Sequence, residues 1–162
     1  MVFTADRLPT GIDEFRAMAE SRMTSPEDVC GLFFMALNLY VSDKDAGIEA
    51  MNILRGPRPM NGFDVQFLRD RLRGKEYLPL AYFKGASPEN GYTTKKTYVL
   101  EIIPDTQPQD EGYLKVFIKT TGADSPRPMK LRTKPSTGQW FLWEYSSILS
   151  GIRIPASQDP WA

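Results

Sequence analysis

The chain has 162 residues, with 20 basic and 20 acidic side chains, one cysteine and no histidine. This length predicts one domain, spanning residues 1–162, that buries its core without needing disulfides. The absence of histidine excludes Ser-His-Asp and Cys-His catalysis and the usual zinc sites. Zero net charge argues against a dedicated nucleic-acid binder, because affinity for nucleic acid comes mainly from neutralising phosphates.

The beginning of the chain and its hydropathy bear on location. The first residues read MVFTADRLPTG and lack the basic start and apolar stretch of a signal peptide. No apolar run approaches the roughly 18 residues that a membrane-spanning helix needs. We therefore expect a cytoplasmic protein with no membrane partner, and we identify no residues that would hold a metal or another cofactor.

The first half of the chain has the apolar spacing of helices. Residues 10–23 place apolar side chains on one helical face, with Thr10 as the expected N-cap. Residues 25–43 give the clearest pattern, with Ser25 as the cap and Pro26 at the first helical position. This second segment is apolar nearly all round, which predicts a central, buried helix.

Two further helices are predicted before the pattern changes. Residues 42–56 form the third, with Ser42 as its cap and Gly56 as its stop. Residues 61–74 form the fourth, in which we expect Phe63 to face the core.

The second half of the chain has the alternation and turn residues of strands. Residues 77–83 read YLPLAYF, a short extended edge interrupted by proline. Four further strands are predicted, over residues 96–103, 113–119, 128–133 and 139–145. Helices followed by strands predict an α+β fold, with N-terminal helices packed on a C-terminal antiparallel sheet of about four to five strands. A cone-like curvature of this sheet is one of the two forms that we consider, the other being an ordinary open sheet.

The last predicted hairpin combines basic and aromatic residues. Met129 and Leu131 alternate with Lys130 and Arg132, as in a strand with one face buried. The following strand, QWFLWEY, is apolar on both faces and therefore needs two covers. We expect the helices to cover one face and the C-terminal tail, a partner subunit or a pocket to cover the other. One face carries Trp140 and Leu142, and the other carries Phe141, Trp143 and Tyr145.

The same basic and aromatic residues admit a second interpretation. Stacking platforms for nucleic acid combine aromatic side chains with a basic groove. The alternation of a half-buried strand explains the pattern without such a partner, and we predict that the protein does not bind nucleic acid.

Two family resemblances rest on specific segments. GQWFLWE, followed by a short apolar turn, is similar to the last strand of nuclear transport factor 2-like (cystatin-like cone) domains, in which a curved sheet wraps around helices and often leaves a pocket. A second resemblance covers most of the chain and implies no activity and no catalytic residues. It is to a bacterial family of Firmicutes-type genomes known only as a domain of unknown function, through LRGPRPMNGFDVQFLRDRL, YLPLAYFKGASPENGYT, GADSPRPMKLR, GQWFLWE and DPWA.

Several residues are candidates for a ligand or partner site. Glu101 lies on an apolar strand face, where its pKa would rise unless it pairs with Lys115 or lies at an edge. Asp124 and Arg127 lie in a polar loop, where we expect Asp124 to close the turn. Arg127 either holds that turn against a carboxylate or presents its fork to a carboxylate or phosphate of a ligand. Cys30 is interpreted as a core residue. The predicted site comprises Glu101, Asp124, Arg127, Arg132, Trp140, Trp143 and Tyr145.

Two functional hypotheses follow, and neither assigns a catalytic residue. The first is a non-catalytic binding or protein-interaction module, whose partner is another protein or a second copy of the chain. The alternative is a small-molecule pocket, or an enzyme, inside a cone-like sheet, with Glu101, Arg132 and Tyr145 converging on the ligand.

Overall fold

The computed structural model describes residues 1–162 as four α-helices and five strands. The strands form one antiparallel sheet in the order β1-β2-β3-β4-β5, curled into a half-barrel, so the predicted α+β class is confirmed. None of the helices combines the length and the apolar content that crossing a membrane requires. The elements are β1 (Val2–Ala5), α1 (Ile12–Ala19), α2 (Pro26–Ser42), α3 (Lys44–Arg55), α4 (Gly62–Leu72), β2 (Tyr98–Pro104), β3 (Tyr113–Ile118), β4 (Arg127–Lys134) and β5 (Gln139–Glu144).

Helix α2 is the central element of the core. The Ser25 hydroxyl accepts a hydrogen bond from the Asp28 N–H, and Pro26 occupies the first turn, both as predicted. The helix is buried on nearly all sides and contacts both edge strands of the curled sheet, β1 and β5. A side chain at Gly31 would collide with the Phe3 ring, so the close approach of β1 to the helix requires glycine here.

The strands bury one face and expose the other. In β4, Met129 and Leu131 belong to a core cluster of 37 buried residues, whereas Lys130 and Arg132 point away from it. This is the predicted alternation, and it follows from the period of two along a strand. The side of the sheet that packs on α2 is called the inner face below, and the opposite side the outer face.

Three details of the helical half differ from prediction. Asp43, rather than Ser42, caps α3, because Ser42 still belongs to α2. Thr10 does not cap α1 and instead donates hydrogen bonds to the Glu14 carboxylate. Phe63 faces solvent with 79% of its surface exposed, because the buried residues of α4, Leu68 and Leu72, lie on the opposite side of the helix.

Two details of the sheet also differ from prediction. Strand β1 precedes all the helices and pairs with β2, so the first strand of the sheet comes from the start of the chain. The segment 77–83 is not an edge strand: Leu78–Leu80 forms a 3₁₀ turn that accommodates Pro79, and Phe83 alone makes an isolated bridge, to Leu100.

Candidate functional site

Strand β5 is covered on both faces, but by different parts of the chain. On the inner face Leu142 is buried, and the half-buried Trp140 donates its backbone N–H to the Met23 carbonyl at 2.7 Å. The pairing of β4 with β5 shifts register near Leu131, and beyond that shift Tyr145 enters the core. The alternation predicted that Tyr145 shares the outer face with Phe141 and Trp143. That prediction is wrong, because the shift in register turns Tyr145 inward.

The loop between α3 and α4 covers the outer face of β5. A side chain at Gly56 would collide with the Phe141 ring, so this close approach requires glycine, which also adopts a positive φ of 58°. The Arg58 guanidinium lies 4.1 Å from the centroid of the Trp143 ring and donates a hydrogen bond to the Trp143 carbonyl at 2.6 Å. Part of the second cover is thus a loop of the same chain, which was not among the three covers expected from the sequence.

An open pocket of about 430 Å³ lies between this loop and the β4–β5 hairpin. Its lining contains four cationic side chains, two aromatic rings and no acidic residue. We call it the basic pocket and define it by Arg55, Arg58, Arg132, Lys134, Phe141 and Trp143.

Three of these cations have no carboxylate partner. Arg55 is paired with Asp64, whereas Arg58, Arg132 and Lys134 form no ion pair. The Arg132 guanidinium lies 4.8 Å from the centroid of the Trp143 ring, which also contacts the guanidinium of Arg58. Stacking on a ring occupies the flat face of a guanidinium and leaves in-plane N–H groups to donate to an anion.

The buried Arg55 holds the covering loop in place. It is 6% exposed and donates to the Arg58 carbonyl at 3.0 Å, the Tyr145 hydroxyl at 2.7 Å and an Asp64 oxygen at 3.0 Å. The same Asp64 oxygen accepts the backbone N–H of Asn61, which completes the capping box of α4. Burial raises the pKa of Tyr145, and the neighbouring Arg55 opposes that shift, so the phenol stays a neutral acceptor.

The sequence matches a family described as a domain of unknown function, DUF6935, over residues 7–156. The chain belongs to the DUF6935 family. No curated protein and no solved structure matches it. The predicted resemblance to a domain of unknown function is confirmed, whereas the bacterial origin and the similarity to nuclear transport factor 2-like domains stay predictions.

Two predicted site residues of this DUF6935 domain come together in the basic pocket. Arg132 and Trp143 both line it and contact each other. Tyr145 lies beneath it and acts on it only through Arg55. Trp140 is on the inner face and lies outside the pocket lining.

The other predicted residues lie elsewhere in the domain. Glu101 and Asp124 line a separate pocket of about 450 Å³, where Glu101 pairs with Lys119 at 3.5 Å, rather than with Lys115, and Asp124 pairs with Arg153. Arg127 is the first residue of β4 rather than part of the preceding loop, and it donates to the Gly151 carbonyl at 3.1 Å, which ties the start of the strand to the C-terminal segment. Glu101, Arg132 and Tyr145 therefore do not converge on one ligand.

The structure adds Arg55 and Arg58, which were not predicted as site residues. Their only signal in the sequence is the segment RGPRP, where two arginines flank a glycine and a proline that force a loop. Cys30 is buried in α2 and burial raises the pKa of its thiol, as expected for a core residue.

Proposed function

We propose that this protein is a non-catalytic binding module and that the basic pocket holds an anionic group of its ligand. One observation supports this most directly: Arg58, Arg132 and Lys134 share a concave surface without a carboxylate. Like charges that share a site repel one another, and a bound carboxylate or phosphate relieves that repulsion. Arginine forks suit both groups, because they donate two parallel hydrogen bonds.

The pocket has the size and the order that binding requires. Its volume of about 430 Å³ falls within the range of small-molecule and side-chain sites, roughly 300–1,000 Å³. Arg58 is held by Arg55 and by the Trp143 carbonyl, and Arg132 stacks on Trp143. Side chains that are already ordered lose less conformational entropy when the ligand binds.

The lining favours binding over catalysis. It contains no carboxylate, cysteine or histidine, the groups that most often transfer protons or attack a substrate. Its one hydroxyl, on Thr133, donates to the Gln139 carbonyl at 3.1 Å. Arginine guanidinium groups and aromatic rings recognise charge and shape but supply no general base.

The test uses sodium pyrophosphate and citrate as probes of phosphate and carboxylate recognition. We expect isothermal titration calorimetry to detect binding, and Arg132→Gln and Lys134→Gln each to weaken it by about 10-fold or more, as the loss of one charge-assisted hydrogen bond predicts. Chemical shifts of the Trp143 indole N–H should move with the same concentration dependence.

The matched control is Lys96→Gln, which removes an exposed cation from a loop outside the basic pocket. This variant should bind both anions as tightly as the original protein. At about 10 mM anion, even a binding free energy of only about −4 kcal/mol, equivalent to a dissociation constant of about 1 mM, would be detected. Absence of binding of both anions at this concentration would overturn the proposal. Equal weakening by the control would overturn it as well, because it would indicate a general charge effect.

A further inference from the structure

The cationic surface extends beyond the basic pocket along the outer face of the sheet. Lys115 of β3 lies directly opposite Lys130 of β4 in the strand register, and the next outward residue of β4 is Arg132. Like charges directly opposite each other on neighbouring strands destabilise a sheet. Neither lysine forms an ion pair, and Glu144, which lies opposite Lys130 on β5, forms none either. No carboxylate forms an ion pair with either lysine, so Glu144, which faces Lys130 alone, offsets this repulsion only in part.

Aromatic rings beneath the cations hold them in place. The Lys130 amino group and the Arg132 guanidinium lie 5.2 and 5.3 Å from the centroid of the Tyr113 ring, and the Lys115 amino group lies 5.2 Å from that of Phe117. The Tyr113 ring in turn meets Trp143 edge to face at 5.5 Å. We call the cations of this surface the basic stripe: Arg58, Lys115, Lys130, Arg132 and Lys134.

The spacing of the stripe has a specific period. Lys130, Arg132 and Lys134 are every second residue of β4, which places their attachment points roughly 6.6 Å apart. An extended peptide with an acidic residue at every second position repeats its carboxylates at the same distance. We propose that the ligand is an acidic segment of a partner protein, which lies extended along β4 with one carboxylate in the basic pocket. This inference rests on the proposed function.

The aromatic rings argue for a peptide over a nucleic acid. Single-stranded nucleic acids stack their bases on ring faces that are open to them. Here Tyr113 and Trp143 already contact the charged groups of Lys130, Arg132 and Arg58. Carboxylates need only the outward N–H groups of those cations and leave the stacked arrangement undisturbed.

The experiment measures fluorescence anisotropy with a ten-residue peptide of five Glu-Ser repeats. We expect Lys115→Gln and Lys130→Gln each to weaken its binding by about 3- to 5-fold, as the loss of one exposed charge pair predicts. Neither lysine lines the basic pocket, so their substitution should leave pyrophosphate affinity unchanged. Lys96→Gln is again the control and should bind the peptide normally.

A second peptide, with five glutamates followed by five serines, tests the spacing. It has the same charge, so equal binding of the two peptides would overturn the extended register along β4. Tighter binding of a ten-nucleotide oligothymidine than of the Glu-Ser peptide, at equal salt, would overturn the choice of partner in favour of nucleic acid. A dimer that the peptide dissociates, observed by analytical ultracentrifugation, would overturn it in favour of a second copy.

The failures of the two proposals are distinguishable. Loss of pyrophosphate and citrate binding contradicts the basic pocket and with it the stripe. Retained anion binding with no effect of Lys115→Gln and Lys130→Gln on the peptide contradicts the stripe alone.

Discussion

On its inner face, strand β4 presents Met129 and Leu131 to the core, and on its outer face the same strand presents Lys130 and Arg132 to solvent and to aromatic rings. The inner face stabilises the protein by removing apolar surface from water. This stabilisation grows with the area that is buried, and it requires close packing without cavities. The outer face uses contacts between cations and rings, each worth less but each leaving a charge accessible. The two faces therefore separate what keeps the protein folded from what it presents to a ligand.

The largest expected effect tests the inner face. Phe3 is fully buried against α2, so Phe3→Ala should lower the free energy of unfolding by about 3–5 kcal/mol, as measured by urea denaturation. Phe63→Ala removes the same ring from an exposed position and should change stability by less than about 0.5 kcal/mol. Equal losses from the two variants would contradict the assignment of β1 to the core.

The next effect concerns the residue that joins the two faces. Arg55→Met removes the guanidinium that donates to the Asp64 carboxylate and to the Tyr145 hydroxyl, and should lower the free energy of unfolding by about 2–3 kcal/mol, since Asp64 keeps the Asn61 N–H and some access to water. The covering loop also loses the hydrogen bond to the Arg58 carbonyl, so pyrophosphate affinity should fall in protein that remains folded. Unchanged affinity would show that Arg55 does not position the loop.

A smaller effect is expected on the outer face. Trp143→Ala removes the ring that two guanidinium groups contact, and should lower the free energy of unfolding by about 1–2 kcal/mol. Trp161→Ala is the matched control, because Trp161 is 93% exposed and should have no measurable effect. A decrease in the free energy of unfolding as large as that of Phe3→Ala would mean that the outer face stabilises the fold as much as the core does.

Alkaline pH distinguishes the buried side of the molecule from the solvated one. Burial raises the pKa of Tyr92 to about 12, whereas an unfolded chain ionises this phenol near about 10. Its contribution to stability is therefore fully present below pH 10 and is lost as pH rises towards 12, by about 1 kcal/mol at pH 11. Urea denaturation across this window should show the decline, and Tyr92→Phe should make it shallower. A slope identical in the variant would contradict this origin.

The smallest effect is the repulsion between the two opposed lysines. A double-mutant cycle of Lys115→Gln and Lys130→Gln should give a repulsive coupling of about 0.3–0.5 kcal/mol, because each single substitution already relieves the clash of charges. Raising the salt concentration to about 1 M should shrink the coupling, since screening then acts within about 3 Å. An attractive coupling would remove the argument for an external anion.

The sequence predicted the parts of the fold that follow from local periodicity. The cap at Ser25, the buried helix that it opens and the alternation of Met129 with Lys130 are all visible within short windows. The N-terminal strand was missed because four residues carry too little alternation to be distinguished from a loop. The outward orientation of Phe63 was missed because pattern alone does not show which side of a short helix meets the core.

The candidate site was predicted only in half. Arg132 and Trp143 were identified from their own hairpin, where basic and aromatic residues are close in sequence. Their neighbour Arg58 comes from a loop 85 positions before Trp143, and no local pattern predicts that approach. Glu101 failed to join them because β2 and β4 are separated by β3 and the two residues line different pockets.

The pairing of β1 with β2 has a consequence for synthesis on the ribosome. Phe3 lies opposite Leu100, so the strand leaves the exit tunnel long before its partner does. At about 5–20 residues per second the delay is on the order of 5–20 seconds, far longer than the microseconds in which a helix forms. Helix α2 leaves the tunnel soon after β1, and the absence of a side chain at Gly31 leaves space for the Phe3 ring against the helix. A nascent chain can thus shelter its first strand against its own second helix until the sheet is complete.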